Sequence, residues 1–241
     1  MRAPLIFGLE LVVLYAAGSY AMGRLIGISG FGGGGTVLGR MAFYLLIFPG
    51  VVLHESAHYL ACLLTGTKVL RFAPFSPRRS ADGRLVLGYV RHERRAFPMR
   101  ALVGLAPILL NPLGILLVTT LLTPLSLTEV ASPRLRTFEE DILASGFLTG
   151  SPLIAAVWAY LSLSFALGSV PSREDLSSVP ALLLIFGGGV LLASFIQESS
   201  NNVLLAALRD LSTLAAELYV LPAMVAAVAA LMVGFGGQTF R

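Results

Sequence analysis

Apolar residues in this chain come in long, nearly unbroken runs, not in the regular alternation of elements with one wet face. Runs at residues 4–22, 41–65, 102–123, 142–167, 180–196 and 213–235 each approach the roughly 20 residues a helix needs to cross a bilayer. The pattern predicts an all-α polytopic membrane protein with about six transmembrane helices. The first run carries Glu10 and is followed by further spans, so it reads as a retained helix, not a cleaved signal. Residues 30–35, Gly-Phe-Gly-Gly-Gly-Gly, interrupt the chain; no Lys-Ser/Thr pair follows, which points to a flexible connection and not a phosphate loop. Between the second and third runs the period changes. Residues 68–72 and 84–90 are short β-type runs flanking Pro74, Pro77 and Asp82-Gly83, and they predict a small β-hairpin lying at the cytoplasmic membrane face. No internal repeat or second domain is visible.

Composition narrows the class. Hydrophobic residues make up 56% of the 241 positions and charged residues 12%, with a mean hydropathy of +0.83. Soluble domains carry about 25% charged residues, so both a water-soluble domain and a disordered chain are excluded. Nine of the 17 basic residues (Lys68, Arg71, Arg78, Arg79, Arg84, Arg91, Arg94, Arg95 and Arg100) fall between the second and third runs. The positive-inside rule places that segment in the cytoplasm, and six spans then put both termini there too. The net charge of +4 follows this topology and does not signal nucleic acid; residues 91–100 suit contact with anionic lipids. The one cysteine, Cys62, rules out an internal disulfide and a thiolate zinc cluster.

The chemistry is concentrated at His54-Glu55-Ser56-Ala57-His58, inside the second run. On a helix, positions i and i+4 share a face, so both imidazoles can bind one Zn²⁺ per chain. Such an ion brings the pKa of a bound water toward ~7. Glu55 is offset by one residue, where it can exchange protons without being a ligand. Two histidines pairing with a local carboxylate is the alternative. Three ionisable groups within one turn of an apolar span are costly, however, and a metal offsets that cost where packing does not.

Residues 48–58, Phe-Pro-Gly-Val-Val-Leu-His-Glu-Ser-Ala-His, resemble the metal-binding helix of the site-2 protease class of intramembrane zinc metalloproteases, the M50-like group. The hairpin after that helix, and the span from Arg100 through Pro107 to Asn111, fit the same resemblance over about residues 41–175. It implies a zinc metalloendopeptidase of a bacterial inner membrane, with Glu55 as catalytic base and a transmembrane or membrane-proximal protein as substrate. It also implies that Asn111 contacts substrate or the oxyanion; helix–helix hydrogen bonding is its other reading. The exposed hairpin edge could pair with an extended substrate. A zinc-binding membrane scaffold or regulator without proteolysis is the alternative from another class. The sequence leaves the substrate and oligomeric state open.

The class takes its third ligand from a Leu-Asp-Gly element, which this chain lacks. Asp175 is the best substitute: its Pro171-Ser172-x-x-Asp175 element resembles one in bacterial M50-like proteins, and the expected topology puts it on the side nearer His58. Ser172 and Asp175 also read as a capping box. His92 is the alternative third ligand, with a solvated residue in the basic run as its other reading; Glu174 ranks below both. Glu10, an intramembrane carboxylate, is either functional or ion-paired. The whole chain, 1–241, is expected to be one integral membrane unit: a first helix and Gly-rich loop at 1–40, a catalytic core at 41–179 and a C-terminal helix pair at 180–241.

Overall fold

The computed structural model describes residues 2–31, 36–81, 83–123, 150–172, 175, 219–220 and 222–234. Within these the chain forms α1 (Arg2–Ile28), α2 (Val37–Leu64), β1 (Val69–Ala73), β2 (Arg78–Arg79), β3 (Leu85–Val86), β4 (Tyr89–His92), α3 (Met99–Leu122), α4 (Pro152–Gly168) and α5 (Pro222–Gly234).

Three of the five described helices are long and apolar enough to cross a membrane: Gly8–Ile28 of α1, and all of α2 and α3. They make the chain an integral membrane protein, and they correct the expectation of about six transmembrane helices. Apolarity was a poor guide to helix length. The expected span at 142–167 yields α4, a described helix of 17 residues that starts only after Ser151, with Pro152 in its first turn. At about 1.5 Å per residue that is about 25 Å, short of a ~30 Å hydrocarbon core. Of the expected span at 213–235, the described residues hold α5, with Tyr219 and Val220 also helical. The span at 180–196 lies outside the described residues. With the count of six goes the parity that placed both termini in the cytoplasm.

On α3, Leu109, Leu113, Leu117 and Leu121 form an exposed stripe, while Pro107, Asn111, Ile115 and Thr119 are buried on the opposite face. That is an apolar helix with one side toward lipid and one toward its neighbours. Helix α2 begins at Thr36, whose Oγ1 accepts the Gly39 N–H at 3.1 Å. It ends where Gly66, at φ +63°, lets Thr67 N–H reach the Cys62 carbonyl (2.8 Å) and Gly66 N–H the Leu63 carbonyl (3.2 Å).

Helices α2 and α4 cross through two glycines. A Cβ on Gly50 would lie 1.9 Å from the Ser164 carbonyl oxygen, and one on Gly168 would lie 2.5 Å from that of Gly50. Ser164 Oγ accepts the Gly50 N–H at 2.8 Å across the same contact. Membrane helices, lacking a hydrophobic drive to associate, rely on such small-residue approaches. Gly50→Ala is therefore expected to destabilise the protein by about 2 kcal/mol or more, read as a lowered melting temperature in detergent. An unchanged melting temperature would show that the crossing can open at little cost.

The residues after α2 do form antiparallel ladders, but as two short pairs and not one continuous hairpin. β1 pairs with β4 (Val69 with His92, Ala73 with Tyr89), and β2 pairs with β3 nearer the turn. The second β-type run, expected at 84–90, splits at Leu87-Gly88 and extends to His92. The assembly runs along α2: Phe72 stacks on Tyr59 with ring centroids 4.7 Å apart, and Phe75 meets Phe48 at 5.0 Å and Tyr44 at 6.0 Å. Beyond these, Arg79 donates to the Phe31 carbonyl in the α1–α2 connection. Basic residues of this segment thus reach both ends of α2: Arg79 at the α1–α2 connection, and Arg95 just past the C-terminus, where it donates to the Gly66 carbonyl at 2.8 Å.

Candidate metal centre

His54 and His58 lie on one face of α2, about 15 Å and 9 Å along the axis from its C-terminal residue Leu64. Each is held by a carbonyl from another helix. His54 Nδ1 donates to the Gly168 carbonyl at 2.7 Å, a group that the end of α4 leaves free. His58 Nδ1 donates to the Val103 carbonyl of α3 at 2.8 Å. A carbonyl oxygen can only accept, so in both rings the hydrogen sits on Nδ1 and, in the neutral form, Nε2 presents a lone pair.

The third member is Asp175. Its Oδ1 lies 3.2 Å from His58 Nε2, its Oδ2 lies 3.6 Å from His54 Nε2, and the two Nε2 atoms are 3.2 Å apart. All the potential ligand atoms fall within 4.8 Å of one another, and His58 and Asp175 are buried. The capping box forms as well: Asp175 Oδ2 accepts the Ser172 N–H at 2.7 Å, and Ser172 Oγ accepts the Asp175 N–H at 3.2 Å. One side chain therefore fixes the chain's turn and completes the cluster. Room for it comes from Gly104, where a Cβ would lie 3.2 Å from the Asp175 carbonyl oxygen.

Three electron-rich atoms this close repel one another unless positive charge lies between them, and a metal ion or protons on the imidazoles can supply it. Tetrahedral zinc with bonds of 2.0–2.1 Å spaces its donors about 3.3 Å apart, close to the observed 3.2, 3.2 and 3.6 Å. The donor set of two imidazoles and one carboxylate is one that zinc uses when a fourth position stays open. Burial opposes the charge on Asp175, but His54 and His58, which face it through Nε2 and are charged when protonated there, outweigh it and hold the carboxyl well below its usual range. The group stays ionised, as a ligand must be.

Other candidate residues take distinct places. Glu55 is partly buried beside the cluster and couples electrostatically to His54, His58 and Asp175. Gly88 backs it: a Cβ there would lie 2.7 Å from Glu55 Cγ. Asn111 is fully buried, its Nδ2 donating at 3.3 Å to the Pro107 and Gly168 carbonyls. It thus shares with His54 the carbonyl that orients that ring, while its Oδ1 is buried without a partner among the described residues. His92 ends β4 with Nδ1 donating to the Glu93 carbonyl at 2.9 Å, outside the cluster. Glu174 lies outside the described residues. Glu10 Oε2 is buried with no partner among them.

The carbonyls of Gly168 and Val103 were missed by sequence reasoning, although Pro107 carried a signal for the second. No family model, no curated protein and no solved structure matches this chain, so its function is read from the site itself.

Proposed function

We propose that this chain is a zinc-dependent membrane protein that hydrolyses peptide bonds within or near the bilayer, in the manner of the site-2 protease class it resembles. The observation that carries the reading is the His54–His58–Asp175 cluster, with Glu55 one residue away on the same helix. Bound there, Zn²⁺ would supply a Lewis acid for the scissile carbonyl and a water acidic enough to attack it near neutral pH. His54, His58 and Asp175 would hold the ion, and their carbonyl and capping partners keep them from turning away. Glu55 would accept the proton of the attacking water and return it to the leaving amine.

Hydrolysis also needs water at this depth. Two-stranded ladders leave backbone groups that lipid cannot satisfy, so the β segment along α2 must face protein or a wet cavity. Gly88 places that segment directly against Glu55.

A second reading has a specific observation in its favour. The three ligands are firmly positioned, whereas the Glu55 carboxylate makes no hydrogen bond to them among the described residues. Geometry of this kind backs metal binding more directly than proteolysis. A zinc-binding membrane scaffold or regulator would need nothing beyond the triad.

Metal removal separates the two. Purified protein in detergent, incubated with unfolded membrane-protein segments, is expected to cleave them, to stop after chelation and to resume when one equivalent of zinc is returned. Zinc binding with no cleavage across such a panel would favour the scaffold. Cleavage indifferent to chelator would remove the metal mechanism.

A further inference from the structure

A proline inside a helix has no N–H for the carbonyl four residues before it, and so leaves that carbonyl free. The described helices contain three such interior prolines: Pro49 in α2, and Pro107 and Pro112 in α3. The carbonyls four residues back belong to Leu45, Val103 and Ile108. Each accepts a side-chain hydrogen bond from another helical segment. Tyr160 OH donates to Leu45 at 2.6 Å, His58 Nδ1 donates to Val103 at 2.8 Å, and Tyr219 OH donates to Ile108. In an apolar bundle, free carbonyls come mainly from helix ends and from prolines. The two histidines draw on one of each: His54 on the end of α4 and His58 on the gap left by Pro107.

We propose that Pro107 is a positioning residue for the metal centre, because by withholding an N–H it leaves the Val103 carbonyl to His58 Nδ1 and so fixes the tautomer that aims His58 Nε2 at the ion. This rests on the metal-binding reading of the site. An alanine at 107 would restore the helical N–H to Val103, draw its carbonyl back along the helix axis and let the His58 ring rotate or change tautomer. Pro112 is the internal control: one turn away on the same helix, it frees a carbonyl for Tyr219, which is not a ligand.

The test compares zinc affinity, by competition with a chromogenic chelator, for full-length wild type, Pro107→Ala, Pro112→Ala, His58→Cys and the Pro107→Ala/His58→Cys double variant. Outer-shell partners of metal-bound histidines are worth roughly 10–100-fold in affinity. Pro107→Ala is expected to weaken zinc about 10-fold in the wild-type background and to change little with His58→Cys, because a thiolate ligand uses no Nδ1 partner. Pro112→Ala is expected to leave zinc affinity unchanged.

Histidine-selective ¹⁵N spectra supply a second reading, since the chain has three histidines. The zinc-loaded wild type is expected to show a protonated Nδ1 at His58, and Pro107→Ala to lose that single form. Equal weakening in both backgrounds would mean that Pro107 acts only through helix packing. Unchanged affinity and spectrum would mean that Val103 serves both donors. Either result overturns the proposal while the metal site stands. A wild type without zinc would overturn the metal reading itself.

Discussion

Asp175→Asn is expected to reduce bound zinc from about one per chain to a small fraction while leaving the fold intact. The substitution separates the two tasks of this side chain. An asparagine oxygen can still accept the Ser172 N–H, so the capping box that starts at Ser172 keeps its backbone acceptor. What is lost is the negative charge facing both Nε2 atoms at 3.2 and 3.6 Å. Two neutral imidazoles then remain as strong ligands, one short of the three that a zinc site with an open position uses. The weakening should exceed the roughly 10–100-fold typical of outer-shell changes. Asp175→Ala should lose zinc to the same degree and also lose about 1 kcal/mol of capping, visible as a lower melting temperature of the metal-free protein. Elemental analysis of both variants beside wild type, with a melting curve for each, decides the matter. A full equivalent of zinc in Asp175→Asn would remove Asp175 from the ligand set.

How much of this was legible in the sequence depends on the range of the interaction involved. His54 and His58 could be paired from their spacing because a helix sets their relation locally, within one turn. Asp175 could be suggested, since the Ser172–Asp175 capping box is also local. Its meeting with the histidines is a tertiary fact, made by the Gly50–Gly168 crossing and by the close approach at Gly104. The ladder after α2 was legible from its β-type runs and Asp82-Gly83 turn, but its position along α2 was not. That position comes from Tyr44, Phe48 and Tyr59, which lie along one side of the helix and receive Phe75 and Phe72.

The count of spans failed for a related reason. Hydropathy reports what a segment avoids, not where its helix starts, and Ser151-Pro152 sets a start that an apolar average does not register. Prolines were the most informative residues misjudged. Pro107 read as part of a family-like element, whereas its consequence is a free carbonyl at Val103 on which a ligand depends.

Glu55→Gln is expected to keep about one zinc per chain and to lower peptide-bond cleavage by roughly 10²–10⁴-fold, the range in which a positioned general base contributes. The prediction isolates protonation from metal binding. Glutamine matches glutamate in shape, and the Glu55 atom that a Cβ at Gly88 would meet is Cγ, which both side chains share; the β segment therefore has no reason to shift. Glu55 is not among the three groups that converge within 4.8 Å, so the metal's ligands are untouched. Only the ability to take a proton is removed, and with it the route by which the attacking water is deprotonated and the leaving amine protonated. Zinc retained with cleavage lost would identify Glu55 as the base and this chain as a hydrolase. Zinc retained with cleavage unchanged would exclude that role. Loss of zinc along with cleavage would instead place Glu55 in the structural support of the ligands, where its coupling to His54, His58 and Asp175 would act on the site's charge and not on the reacting water.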